Sequence, residues 1–241
     1  MKNIFIKIRH NLLAKNKTGI YLKYAIGEIV LVVLGILIAL SINNWNERRK
    51  NYEKQEILIK NIIEDLKLDF IHISNSHNQV TSQINLIDNL IEKTFESEKK
   101  LNYSSIGLIR FSSDFRPISQ RNHTESISNL EDDLIREILQ NYFLKEDKVE
   151  DVFLEYIDII HNKIRPYLSD VGMHNLKSLY KNNSNKKQEI SLHPEILEKQ
   201  LSNIKFQQLL FERRIKTDSF EKLLDELKTE NQELIKILSL K

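Results

Sequence analysis

Two segments carry an acid and a histidine three residues apart, Asp69-Phe-Ile-His72 and Asp158-Ile-Ile-His161. On a helix, positions i and i+3 share a face, so each pair can offer a carboxylate and an imidazole to one ligand. Two such pairs on facing helices resemble half of a di-metal carboxylate site. That site uses two Glu-x-x-His motifs and two further glutamates, all directed into a bundle core. Here the acids are the shorter Asp, and the apolar periodicity around them argues against convergence. With Phe70 and Ile73 inward, Asp69 and His72 flank that face; with Ile157 and Ile160 inward, Asp158 and His161 point away. Both pairs read as solvated i,i+3 pairs.

His77 differs, because it falls on the apolar seam between Ile73 and Val80. A buried neutral histidine with a hydrogen-bond partner is the plain reading. As a polar seam residue it would instead fix helix register or switch on protonation. Arg110, Arg116 and Arg121 cluster beside Phe111 and Phe115, and read as a basic loop rather than an anion site. There is no Gly-rich phosphate loop, no G-x-S-x-G elbow and no H-E-x-x-H. Cysteine is absent, which excludes thiol nucleophiles and thiolate metal sites. No residue set calls for a cofactor, and a net charge of +2 over 241 residues does not suggest nucleic acid.

The elements that position these groups begin with an apolar run. From Ile29 to Ile42 there is no charge, and Tyr24 and Trp45 frame the stretch. As a helix, residues 24–45 are roughly 31 Å long, matching a bilayer's hydrocarbon core of about 30 Å. The first 23 residues hold Lys2, Lys7, Arg9, Lys15, Lys17 and Lys23 and no acid, so this arm is expected on the cytoplasmic side. The domain after the span is then extracytoplasmic. Ala39-Leu40-Ser41 loosely imitates a signal-peptide cleavage site, but the apolar run and the basic arm are both long for a signal peptide. Ile4, Phe5, Ile8, Leu12 and Leu13 recur at helical spacing in that arm, which suits a helix lying on an anionic leaflet.

Within the span, Glu28, Gly35 and Ala39 fall on one face. Gly35 and Ala39 form a small-xxx-small step that lets helices approach closely, so these three residues mark a candidate association face. Glu28 sits near the inner edge, within reach of the headgroups.

Lys23 through Leu40 (KYAIGEIVLVVLGILIAL), then Ile42-Asn43-Asn44-Trp45-Asn46-Glu47, resembles a family of small single-span membrane proteins of unknown function from flavobacteria and related Bacteroidota. The Arg-x-Asn-Leu-Leu element at Arg9 to Leu13 is similar to that family too, and the likeness covers about residues 4–50. Ser41 departs from the pattern, which more often has Gln there. The resemblance implies a bacterial inner membrane, a periplasmic helical domain and no catalytic residues to carry over.

Gly is 5 and Pro is 3, so sharp turns are few and the chain should be nearly all helix. Ile63, Leu66, Phe70, Ile73, His77, Val80, Ile84, Ile87 and Ile91 alternate spacings of three and four, a coiled-coil-like seam on one long helix. Residues 98–125 read as a connecting segment with an extended piece at Ile106 to Phe111. Helices are expected at 126–143, with Ile127, Leu130, Leu134, Ile138 and Leu139 inward, at 148–167, and near 175–180. Residues 181–189 read as a polar loop. A last helical region, 194–240, has Ile204, Phe211, Ile215, Phe220, Leu223, Leu227, Leu234 and Leu238 on its stripe. Returned antiparallel, it would set Phe206 near Ile91 and Leu234 near Ile63 or Leu66.

The expected architecture is all-α: a basic arm (1–23), a transmembrane helix (24–45) and an extended antiparallel helical bundle (46–241). The function expected is a non-enzymatic interaction, scaffold or sensor module, with another envelope protein or a second copy as partner. The alternative is a metal- or ligand-dependent enzyme hosted in the bundle, which needs inward-facing acids and histidines.

Overall fold

The computed structural model describes residues 18–96, 98–181 and 191–240. The basic arm's proposed helix and most of the polar loop lie outside them. The helices are α1 (Thr18–Phe95), α2 (Ser119–His123), α3 (Asp133–Asp158), α4 (Arg165–Asp170), α5 (Leu176–Lys181), α6 (Pro194–Leu201) and α7 (Ile204–Ser239). Short 3-10 turns occupy Tyr103–Arg110 and Ser126–Asn129, and a π turn occupies Ile159–Ile164. No strand forms among the described residues; His174 and Leu192 make an isolated bridge. The chain is all-α, and it divides into two compact units, residues 1–57 and residues 58–241.

In the first unit, every residue from 29 to 42 is exposed on α1. This is the one helix among the described residues that is long and apolar enough to cross a membrane.

The second unit is a three-helix bundle closed by an irregular strap. Residues 58–95 of α1 and α7 run antiparallel: Asp88 receives Arg214 Nε at 2.6 Å, Thr81 donates to Glu221, and Lys228 lies over the Phe70 ring. This register agrees with the expected return of the last helix. Both Leu66 and Leu234 are buried in one apolar cluster, and Phe206 and Ile91 share another. Helix α3 is antiparallel to α7, with Asn231 donating to Tyr142 at 2.8 Å and Lys216 to Glu155 at 2.5 Å. The fourth wall is residues 98–132, which descend beside α1 from Ile106 and Ile109, packed with Leu86 and Leu90, to Asn122 and His123 at Asp65.

Several expectations need correction. The piece at Ile106 to Phe111 is a 3-10 turn, not an extended segment. The two helices expected at 126–143 and 148–167 are one, α3, starting at the Asp132 cap that accepts from Ile135 N. The polar run Lys145-Glu146-Asp147 does not break it, since Glu146 is buried. Leu134 is exposed rather than inward. The region from Pro194 splits at Ser202 and Asn203, where Asn203 caps α7 by accepting from Lys205 N.

The phase of two seams also differs. On α7 the buried positions are Phe206, Leu210, Arg213, Thr217, Phe220, Leu224, Leu227, Asn231, Leu234 and Leu238. Ile204, Phe211 and Ile215 are exposed, because Arg213 and Thr217 hold the seam positions beside them. On α1 the buried set is Ile62, Leu66, Asp69, Ile73, Ser76, Val80, Gln83, Ile87 and Leu90, together with Leu86. The apolar face is wider than one seam because α1 packs on two neighbours. Phe70 and His77 flank α7, while Asp69 and Ser76 face the strap.

The π turn has a local cause. Pro166 has no N–H and its ring crowds the carbonyl four residues back. Arg165 N–H reaches Ile160 O, five residues back, and the extra residue turns Ile164 and Leu168 inward while Lys163 stays exposed. Helix α4 ends at Gly172, whose φ of +68° is strained for any residue with a Cβ.

Candidate functional site

Among the described residues, none packs on the candidate association face of the apolar helix. Glu28, Gly35 and Ala39 are all exposed, and a Cβ built on Gly35 meets nothing within 4 Å.

The bundle core contains two polar layers separated by aromatic packing of Phe115, Phe153, Tyr156 and Phe220. The first layer starts at Asp69. Its Oδ1 accepts from Ile118 N at 2.7 Å and its Oδ2 from Ser119 N at 2.8 Å, satisfying two backbone donors where the strap enters α2. Ser119 Oγ donates to Glu146 Oε1 at 3.4 Å, and Glu146 also bonds Tyr142. Glu146 is fully buried and its Oε2 has no partner. Burial, and then the nearby Asp69 charge, push its carboxyl up to about 9, so it is a neutral acid near pH 7. Burial likewise raises the Tyr142 hydroxyl well above the ordinary range.

The second layer joins all four walls. Tyr156 donates to Gln83 Oε1 at 2.7 Å and accepts from Ser113 N at 2.8 Å; Arg213 Nη2 donates to the same Gln83 oxygen at 3.0 Å. Arg213 Nη2 also reaches the carbonyls of Leu108 and Phe111, at 3.3 and 3.2 Å. Burial lowers the Arg213 guanidinium to about 10, so it stays charged near pH 7.

The two Asp-x-x-His motifs therefore have different fates. Asp158 and His161 are exposed, and Asp158 accepts from Asn162 Nδ2 at 2.6 Å, as expected for a solvated pair. Asp69 is not solvated: it is buried and bonded to the strap, with His72 exposed beside it. The motifs do not converge, since Asp69 lies level with Glu146 and Asp158 lies more than three turns further along α3. Among the described residues no three metal-ligating side chains gather. His77 is half-buried rather than core, with Nε2 at 3.3 Å from Glu221 and 3.8 Å from Asp225. Arg116 and Arg121 are exposed, whereas Arg110 is half-buried and points its interactions elsewhere.

A family of unknown function (DUF6090) matches residues 28–107. No curated protein and no solved structure matches the chain. The matched segment takes in Glu28, Gly35 and Ala39 on the span and Asp69, His77 and Gln83 on the bundle. It stops short of Ser113, Glu146, Tyr156 and Arg213, which complete both polar layers from the strap, α3 and α7.

Sequence reasoning missed Glu146, Gln83 and Arg213. One signal was available: Asp69, Ser76 and Gln83 recur every seven residues, all polar, on an otherwise apolar face.

Proposed function

We propose that this chain is a single-pass inner-membrane protein whose basic arm is cytoplasmic and whose helical bundle is a periplasmic interaction module without catalytic activity. One observation carries the reading: an uncharged, wholly exposed apolar surface over residues 29–42 of α1, which water would not tolerate and a bilayer would. The sidedness is supported by the acid-free basic arm. The non-enzymatic reading is supported by where the polar groups go. Asp69, Gln83 and Tyr156 are spent on backbone and side-chain partners that hold the strap. The partner is another envelope protein or a second copy through the Glu28, Gly35 and Ala39 face.

The chain has no cysteine, so topology is directly testable. A cysteine at the exposed Glu150 position of α3 is expected to react, in intact cells permeabilised only at the outer membrane, with a membrane-impermeant thiol reagent. A cysteine replacing Asn16 should react only after the inner membrane is opened. Both proteins should stay with membranes in alkaline carbonate. The reverse labelling pattern would overturn the orientation, and release by carbonate would overturn the anchor.

A further inference from the structure

Three arginines gather on one turn of strap backbone. Arg213 Nη2 donates to the carbonyls of Leu108 and Phe111, and Arg165 Nε donates to the carbonyl of Arg110 between them, at 2.8 Å. The Arg110 guanidinium itself folds over the Phe111 ring, 5.5 Å from its centre. These braces use only part of the donor capacity. Arg213 Nε and Nη1 and Arg110 Nε are buried with no partner, and so is Nδ1 of His174.

Among the described residues no carboxylate forms an ion pair with Arg110, Arg165 or Arg213. Arg213 is acted on by the Tyr156 hydroxyl and then by Arg165, His174 by Arg110 and by a hydrogen bond to the Arg165 backbone, and His161 by Arg165. Burial first, and then the neighbouring arginine, lowers both histidines. Arg214, one residue along α7, shows what a structurally neutralised arginine looks like in this fold: it is held by Asp88 at 2.6 Å and by Asp218 at 2.9 Å. Uncompensated buried guanidinium is costly, and a forked donor set is matched by the oxygens of an oxyanion. Arg110 Nε, His174 Nδ1 and the free Arg213 nitrogens are buried, but Arg110 and Arg165 as residues are only half-buried, so an anion can approach those two from solvent.

We infer that Arg110 and Arg165 form a binding site for a small phosphate-type oxyanion, with the buried Arg213 supplying positive potential from behind. This goes beyond the anchored-module reading and does not depend on it. Arg116 and Arg121, neighbours in sequence, take no part.

The test uses the full chain in neutral detergent micelles, titrated with inorganic phosphate at constant ionic strength against chloride. Binding is read by calorimetry and by the thermal midpoint. Phosphate is expected to bind and to raise the midpoint where chloride at equal ionic strength does not. Arg110→Gln and Arg165→Gln should each weaken binding by about ten-fold or more, and Arg116→Gln and Arg121→Gln should leave it unchanged. Arg110→Lys, which keeps the charge but loses the fork, should fall between. Acetate in place of phosphate asks whether the site takes any oxyanion or prefers the tetrahedral one; weaker binding of acetate is expected. Absence of phosphate binding to the unaltered chain would overturn the proposal whatever the variants do. An equal loss in Arg116→Gln would assign the effect to general loop charge and overturn it as well.

Discussion

Replacing Asp69 by Ala should cost about 3 kcal/mol of stability, while replacing Asp158 by Ala should cost less than about 0.5 kcal/mol. The two acids sit in the same sequence pattern, so the contrast isolates environment. Asp69 holds two backbone N–H groups, those of Ile118 and Ser119, at a place where Ser119 is fully buried. Without the carboxylate both donors lose their partner, at about 1–3 kcal/mol each. Part of that loss is returned, because the Asp69 charge disfavours ionisation of its neighbour Glu146. Asp158 bonds only the exposed Asn162 side chain, for which water substitutes. Denaturant unfolding of the full chain in micelles, followed by circular dichroism, measures both. Equal losses would mean that the strap does not hang on Asp69.

Replacing Glu146 by Gln should stabilise the protein near pH 7 by about 2–3 kcal/mol and flatten its stability between pH 5 and 9. The sign follows from the raised value. In the unfolded chain Glu146 ionises above the ordinary 4.5, whereas in the bundle it holds its proton up to about 9. The stability of the neutral, buried form is thus fully present below 4.5 and is lost as pH rises through about 9. Each pH unit within that window costs about 1.4 kcal/mol. Gln is neutral throughout and keeps the oxygen that Ser119 and Tyr142 bond, so it removes the slope without emptying the site. The difference between the two stability-versus-pH curves reports Glu146 alone. A difference that does not grow with pH across this window would mean that the carboxyl is ionised in the fold.

How much of this was readable from residues alone depends on what each residue packs against. The long apolar helix that is a candidate span was legible because its length and apolarity are read directly from the residues. The antiparallel return of α7 was legible because Phe220, Leu227 and Leu234 keep an apolar seven-residue rhythm. The phase of its first half was not. Arg213 and Thr217 occupy buried positions, and after Leu210 the apolar residues Phe211 and Ile215 point to a stripe that is out of phase with them. The same inversion hid Asp69. An irregular strap needs side chains to satisfy its backbone, and α1 places Asp69 and Ser76 to bond it directly and Gln83 to hold the Tyr156 and Arg213 side chains that bond it, where a fourth helix would meet leucines. The merger of two expected helices into α3 has the same source, because Glu146 falls in the polar gap between them, where burial makes it a neutral core residue.

Both polar layers and the arginine cluster require that residues 58–240 close into one bundle within a single chain. A parallel coiled coil between two copies of residues 63–91 would bury much of the same α1 face. Cysteines replacing Asp88 and Arg214, whose side chains meet at 2.6 Å on the half-exposed flank of α1 and α7, separate the two arrangements. Treated in native membranes with a short bis-maleimide, the double variant should crosslink within the monomer, and the Asp88→Cys variant alone should give no dimer. Efficient dimers from Asp88→Cys alone, with no intramolecular bridge in the double variant, would contradict the monomeric bundle.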